Sequence, residues 1–82
     1  MDKILKFAAP WCEPCKALSN IIKDIDLGDI QLEEIDVEVS KDLVAQYRVR
    51  SVPTLIYLKE EKPVRVMMGL KTKEELLSWI NQ

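Results

Sequence analysis

The 82-residue sequence predicts an α/β fold of order βαβαββα, a four-stranded mixed sheet flanked by helices, with residues 1–82 forming a single domain. Three observations carry this reading. An apolar run, Ile4-Leu5-Lys6-Phe7, passes into a segment with helical apolar spacing, and a second strand pattern follows. That order suits two parallel strands joined by a crossover helix. Nearer the C-terminus, two strand patterns flank a short polar connector and so read as a hairpin, after which Thr72-Lys73-Glu74-Glu75 has the spacing of a helix capping box.

Taken in order, Ile4–Phe7 suits a buried strand, and Ala8-Ala9-Pro10 ends it. From Cys12 the pattern Leu18, Ile21, Ile22, Ile25 lies on one helical face, and Gly28 is the expected stop. Pro14 is tolerated because the first turn leaves its missing N–H without a partner. Residues 30–37 read as the second strand, and Ser40 as the N-cap of a short helix reaching Tyr47. Residues 54–58 form a central strand and 64–68 an outer one, with the connector 59–63 as a solvated turn. Leu76, Leu77 and Ile80 turn inward on the last helix. Phe7, Tyr47, Tyr57 and Trp79 are expected in or beside the core, and Met67 and Met68 as adaptable core filler.

The chemistry is concentrated in Trp11-Cys12-Glu13-Pro14-Cys15-Lys16, which holds both cysteines of the chain. On the first turn of a helix, C-x-x-C places two sulfurs close enough to close a small ring, while the exposed N–H groups and dipole favour a thiolate. Cys12, at the helix end and nearest to solvent, is the expected nucleophile and Cys15 the resolving thiol. A closed zinc site wants four Cys or His ligands, and the chain has no third cysteine and no histidine. A two-thiolate site completed by Asp, Glu or a second subunit stays open, but no metal is expected. A purely structural disulfide also stays open, although a ring over two residues removes little chain entropy.

Composition adds exclusions. Twelve basic and fourteen acidic residues are interspersed, for a net charge of -2, so neither a nucleic-acid-binding patch nor a membrane-binding stripe stands out. No apolar run approaches the roughly twenty residues that cross a bilayer, and the N-terminus lacks the apolar core of a signal peptide. A cytoplasmic location is expected. In that reducing compartment a lone cysteine pair points to catalysis.

The motif W-C-x-P-C-K at residues 11–16, Val52-Pro53-Thr54 before a β-rich run, and Gly69 after the next strand together resemble thioredoxin over nearly the whole chain. The resemblance implies a small, glutaredoxin-sized member that lacks the N-terminal strand and helix of full-length thioredoxin. It implies a dithiol–disulfide oxidoreductase acting on protein disulfides, with a cis bond before Pro53. Pro10, Trp11, Val52, Pro53 and Gly69 would form the docking surface, with the Val52 backbone pairing to an extended substrate and Gly69 letting its backbone approach. It further implies a monomer with no bound cofactor. Electrons would come from NADPH through a flavin-containing thioredoxin reductase, with ribonucleotide reductase among the possible substrates. A glutathione-dependent glutaredoxin and a non-catalytic binding module are the alternatives.

Two positions depart from the family pattern. Glu13 replaces a usual glycine, so Glu13 and Pro14 become the expected redox-tuning residues; a carboxylate there raises the Cys12 pKa and makes the pair slightly more reducing. Lys6 stands where the family usually keeps a buried aspartate. Glu34 falls about where some thioredoxins keep the facing lysine, so the charges read as exchanged and a Lys6–Glu34 proton-transfer pair behind the disulfide is expected.

Overall fold

A computed structural model describes residues 1–82. Its elements are β1 (Asp2–Ala8), α1 (Glu13–Lys23), β2 (Gln31–Asp36), α2 (Lys41–Gln46), β3 (Thr54–Lys59), β4 (Lys62–Met68) and α3 (Lys73–Ile80). This is the expected βαβαββα order. The four strands form one sheet in the order β2-β1-β3-β4, with β1 parallel to β2 and antiparallel to β3, and β3 antiparallel to β4.

Strand alternation divides the core into two layers. On one face Ile4, Leu55 and Tyr57 pack against Leu18 and Ile22 of α1 and Leu76, Trp79 and Ile80 of α3. On the other, Leu5, Phe7, Ile35, Ile56 and Leu58 meet Leu43 and Val44 of α2, with Val37, Tyr47 and Val49 beside them. An edge-on aromatic pair closes each layer, Tyr57–Trp79 and Phe7–Tyr47, each with 6.0 Å between centroids. Far from the cysteines, the Tyr57 hydroxyl donates to Asp2 Oδ2 at 2.5 Å. That bond, with burial and the charge of Asp2, raises the Tyr57 pKa against the opposing pull of Arg65, whose guanidinium lies 4.1 Å from the Tyr57 ring centroid.

Several boundaries differ from the sequence reading. Helix α1 stops at Lys23, where the Asp24 N–H bonds back to the Ile21 carbonyl and the Ile25 N–H to the Ile22 carbonyl, so Gly28 sits in a later turn at φ +58° and does not end the helix. Ile25 is buried just beyond the helix. Ser40 occupies the N-cap of α2, but its side chain caps nothing. The hairpin connector is shorter than expected: Lys59 pairs with Lys62, and only Glu60 and Glu61 make the turn, both with positive φ as a type I′ turn requires. Strand β4 therefore takes in Pro63, which an edge strand tolerates because one row of its backbone groups has no partner strand. Met67 packs on the core as expected, whereas Met68, Val66 and Val64 point out from the edge strand and are exposed. The six-residue α2 does not cover them.

The capping box of α3 is complete. Thr72 Oγ1 accepts from the Glu75 N–H, and the Glu75 carboxylate accepts from the Thr72 N–H. The Thr72 backbone N–H, with a smaller contribution from the Thr72 hydroxyl, holds the Glu75 carboxyl below its ordinary pKa. Because the folded value is the lower one, the stabilisation is present above the ordinary glutamate pKa and is lost as pH falls from there through the folded value. Thr72→Ala is expected to cost about 1 kcal/mol in urea denaturation at neutral pH. A titration of that difference should show it shrinking in acid.

Candidate active site

Strand β1 delivers the chain to α1 through Ala8-Ala9-Pro10-Trp11, and the Cys12 N–H bonds to the Ala9 carbonyl at 3.1 Å. Cys12 is the N-cap of α1, one residue before the helix proper, and its Sγ accepts from the Cys15 N–H at 3.2 Å. The two cysteines are joined in a disulfide with Cα atoms 5.3 Å apart. Small neighbours make room for it: Ala8 and Ala9 are buried in one cluster with the two cysteines, with Val37 and Val52 at the margin. As a result Cys12 is far from open, at 4% exposure against 1% for Cys15, so its expected greater access to solvent is a small difference in this oxidised state. The helix N-terminus and the Cys15 N–H nevertheless favour negative charge at Cys12.

Around the disulfide, Trp11 is 64% exposed and Pro10 is exposed, while Pro53 is fully buried behind a cis Val52–Pro53 bond. Thr54 Oγ1 donates to the Ser51 carbonyl at 2.7 Å, and the Gly69 N–H to the Pro53 carbonyl at 2.9 Å. These bonds tie Gly69 to the loop carrying Val52. Gly69 has φ +86°, a conformation that favours glycine, and a Cβ there would meet nothing within 4 Å, so the space above it is open. Val52 takes part in none of the chain's backbone hydrogen bonds. Glu13 and Pro14 are exposed at the start of α1, and the Glu13 carboxylate accepts from Lys16 Nζ at 2.9 Å.

Lys6 and Glu34 are brought together. They are register partners on β1 and β2, and Lys6 Nζ lies 2.7 Å from Glu34 Oε2. Lys6 does not reach solvent: its side chain is 2% exposed, while that of Glu34 is 60% exposed. Strand alternation turns Lys6 toward α1, where Nζ also donates to Ser19 Oγ at 2.7 Å. A polar cavity of about 340 Å³ behind the disulfide is lined by Lys6, Cys15, Ser19, Glu34 and Asp36 among others. Sequence reasoning missed Ser19, although it stands one helical turn after Cys15 and so on the same face. It also missed Glu38, whose Oε2 accepts from Trp11 Nε1 at 2.7 Å. Nothing in local spacing links those two residues, which the end of β2 brings together. No group of three or more His, Cys, Asp or Glu is placed to hold a metal ion, and no helix is long and apolar enough to cross a membrane.

A redox-active C-x-x-C disulfide capping a helix, set beside an unpaired backbone segment, defines a thiol–disulfide oxidoreductase. The Thioredoxin family model matches residues 1–82, and the chain belongs to the thioredoxin family. It is 37% identical over 79 residues to a thioredoxin of Bacillus subtilis, covering 93% of this chain and 76% of that one. With a thioredoxin of Chlamydia trachomatis it shares 35% identity over 81 residues, covering 96% and 79%. A single-residue mutant thioredoxin from Halobacterium salinarum superposes with a TM-score of 0.89 at 30% identity, over 98% of this chain and 72% of that structure. These matches place the chain with thioredoxins, although its size is nearer that of a glutaredoxin.

The unequal burial of Lys6 and Glu34 gives an asymmetric expectation for stability. Glu34→Ala leaves a buried ammonium with Ser19 alone and should cost about 1–3 kcal/mol. Lys6→Met removes the buried charge itself and should be near neutral or stabilising. Urea denaturation of the two oxidised variants, compared with wild type, measures the difference.

Proposed function

We propose that this chain is a single-domain, monomeric, cytoplasmic reductant of protein disulfides. The reading is carried by one observation, a helix-capping disulfide in a cluster against which Val52 packs, with the Val52 backbone making no internal hydrogen bond. The Cys12 thiolate attacks one sulfur of a substrate disulfide; the Cys12–substrate bond forms as the substrate S–S bond breaks and the first substrate thiolate leaves. Cys15 then attacks Cys12 Sγ, the intramolecular disulfide forms, and the second substrate thiolate departs. The pair has given up two electrons. They return from NADPH through a flavin-containing thioredoxin reductase, with no cofactor on this chain, and ribonucleotide reductase is one substrate of suitable chemistry.

The docking surface is formed by Pro10, Trp11, Val52, Pro53 and Gly69. An extended substrate strand pairs with the free Val52 backbone and passes over the open space at Gly69. Lys6 stabilises the Cys15 thiolate as it forms, and Glu34, or a water held by it, accepts the proton. Supporting this division of labour, Lys6 is the buried partner and Glu34 the exposed one.

Cys15→Ser should trap substrates as mixed disulfides on Cys12, and Cys12→Ser should abolish insulin reduction; reduction surviving in the second variant would sink the assignment. Lys6→Met should slow resolution of a preformed mixed disulfide about tenfold or more in stopped-flow, although the fold is no less stable, and an unchanged rate would remove Lys6 from the mechanism. Glu13→Gly should raise the potential by no more than about 10 mV in a glutathione-buffered titration, since Glu13 is exposed and paired with Lys16.

A further inference from the structure

The Lys6 ammonium has three N–H donors, and two of them are committed, one to Glu34 Oε2 and one to Ser19 Oγ, each at 2.7 Å. The third has no acceptor within the chain. The two bonds pull in different directions. Glu34 lies on β2, the outer strand on that side of the sheet, and its side chain is exposed, so an ammonium held by this carboxylate alone is drawn toward the surface. Ser19 lies on α1 four residues after Cys15, on the same helical face, and side chains on a helix lean toward its N-terminus. Its hydroxyl therefore draws the ammonium toward the turn that carries Cys15. Lys6, Ser19, Glu34 and Cys15 line the same cavity of about 340 Å³. The other charged groups on its walls are committed elsewhere: Lys16 of α1 is paired with Glu13, and Asp36 of β2 accepts from the Glu38 N–H through Oδ1.

We propose that Ser19 is a positioning residue for the second half of the redox cycle: its hydroxyl keeps the Lys6 ammonium on the Cys15 side of the cavity, with an N–H free for the Cys15 thiolate as it forms. The inference rests on the role of Lys6 proposed above and deepens it. In the resolving step the Cys15 thiol gives its proton to Glu34 or a water held by it, and the Cys15–Cys12 bond forms. The Cys12–substrate bond breaks, and the substrate thiolate leaves with that bond's electron pair. An ammonium lowers the energy of a developing thiolate more as it comes closer, and most where water is scarce. Lys6 is buried, so a small displacement of its head group counts for more than the same displacement at the surface. A hydroxyl suits this task because it accepts from the ammonium without adding a negative charge that would oppose the thiolate. Ser19 takes no part in the sulfur chemistry and acts through Lys6 alone.

The test follows the reaction of the reduced protein with dithiobis(nitrobenzoate) by stopped-flow across a range of pH. Attack by Cys12 releases the first thionitrobenzoate and resolution by Cys15 releases the second, so the second phase reads the resolving step. For Ser19→Ala the pH midpoint of that phase should rise by about half a unit, which makes resolution about threefold slower at neutral pH. The two rates should meet in alkali, where the thiol is ionised in both proteins. Ser19→Thr, which keeps the hydroxyl, should restore the wild-type profile. Lys6→Met should shift the profile further, and adding Ser19→Ala to it should change nothing more. A Ser19→Ala profile that lies on the wild type, or is lowered by the same factor at every pH, would overturn the positioning role. So would a Ser19→Thr profile that follows Ser19→Ala, or an effect of Ser19→Ala that persists in Lys6→Met. A Lys6→Met profile identical to wild type would instead overturn the role of Lys6 on which the inference rests.

Discussion

The constraint that most narrows how the crossover unit assembles is the seating of one ammonium, that of Lys6, in the interior. It is held by a carboxylate on β2 and a hydroxyl on α1, so a single side chain joins both strands of the parallel pair to the helix that connects them. Such a group is costly to bury and cannot be left unpartnered, which restricts how β1, β2 and α1 settle against one another. Because α1 begins at the disulfide, that restriction extends to the sulfurs. The apolar layer formed by Ile4, Leu18 and Leu55 lies on the same face of the sheet and supplies bulk stability without directing charge.

The polarity of this arrangement separates two tasks. One end of the sheet carries the disulfide, its small packing residues and the free backbone of Val52. The other carries the Tyr57–Asp2 bond and the cluster of Arg65 with Tyr57 and Trp79, which anchors the start of β1 to β3, β4 and α3. The disulfide is buried at the first end beside an exposed Trp11, while the contacts of Asp2, Tyr57, Arg65 and Trp79 are gathered at the second.

Much of this was legible in the sequence because its signals were local. Helical spacing in α1, the capping box at Thr72 and the strand patterns gave the element order, since each rests on residues a few positions apart. The Lys6–Glu34 contact was legible through the family resemblance: Lys6 stands where the family usually keeps a buried aspartate, and Glu34 about where some members keep the facing lysine. What was not legible depended on backbone geometry or distant contacts. Glu60 and Glu61 carry no glycine to advertise a two-residue turn, yet both take positive φ. Ser40 has the right chemistry for a cap but makes no capping bond. Glu38 reaches Trp11 only because the end of β2 lies beside the active-site turn. The near-complete burial of Cys12 follows from how closely Ala8, Ala9 and Val52 close around it, which no spacing encodes.

The outer edge of β4 governs how the molecule behaves among its own copies. A sheet edge with free N–H and C=O groups is a template for another strand, and here the side chains beside it, Val64, Val66 and Met68, offer an apolar surface as well. Only the turn end is guarded, where Lys62, Pro63 and the irregularity near Leu58 disrupt a regular ladder. The end nearest Gly69 has no such guard. Colloidal solubility is therefore unevenly distributed over the surface: a single charge placed at Val66 would protect the long open side of the sheet, far from the sulfurs and outside both core layers.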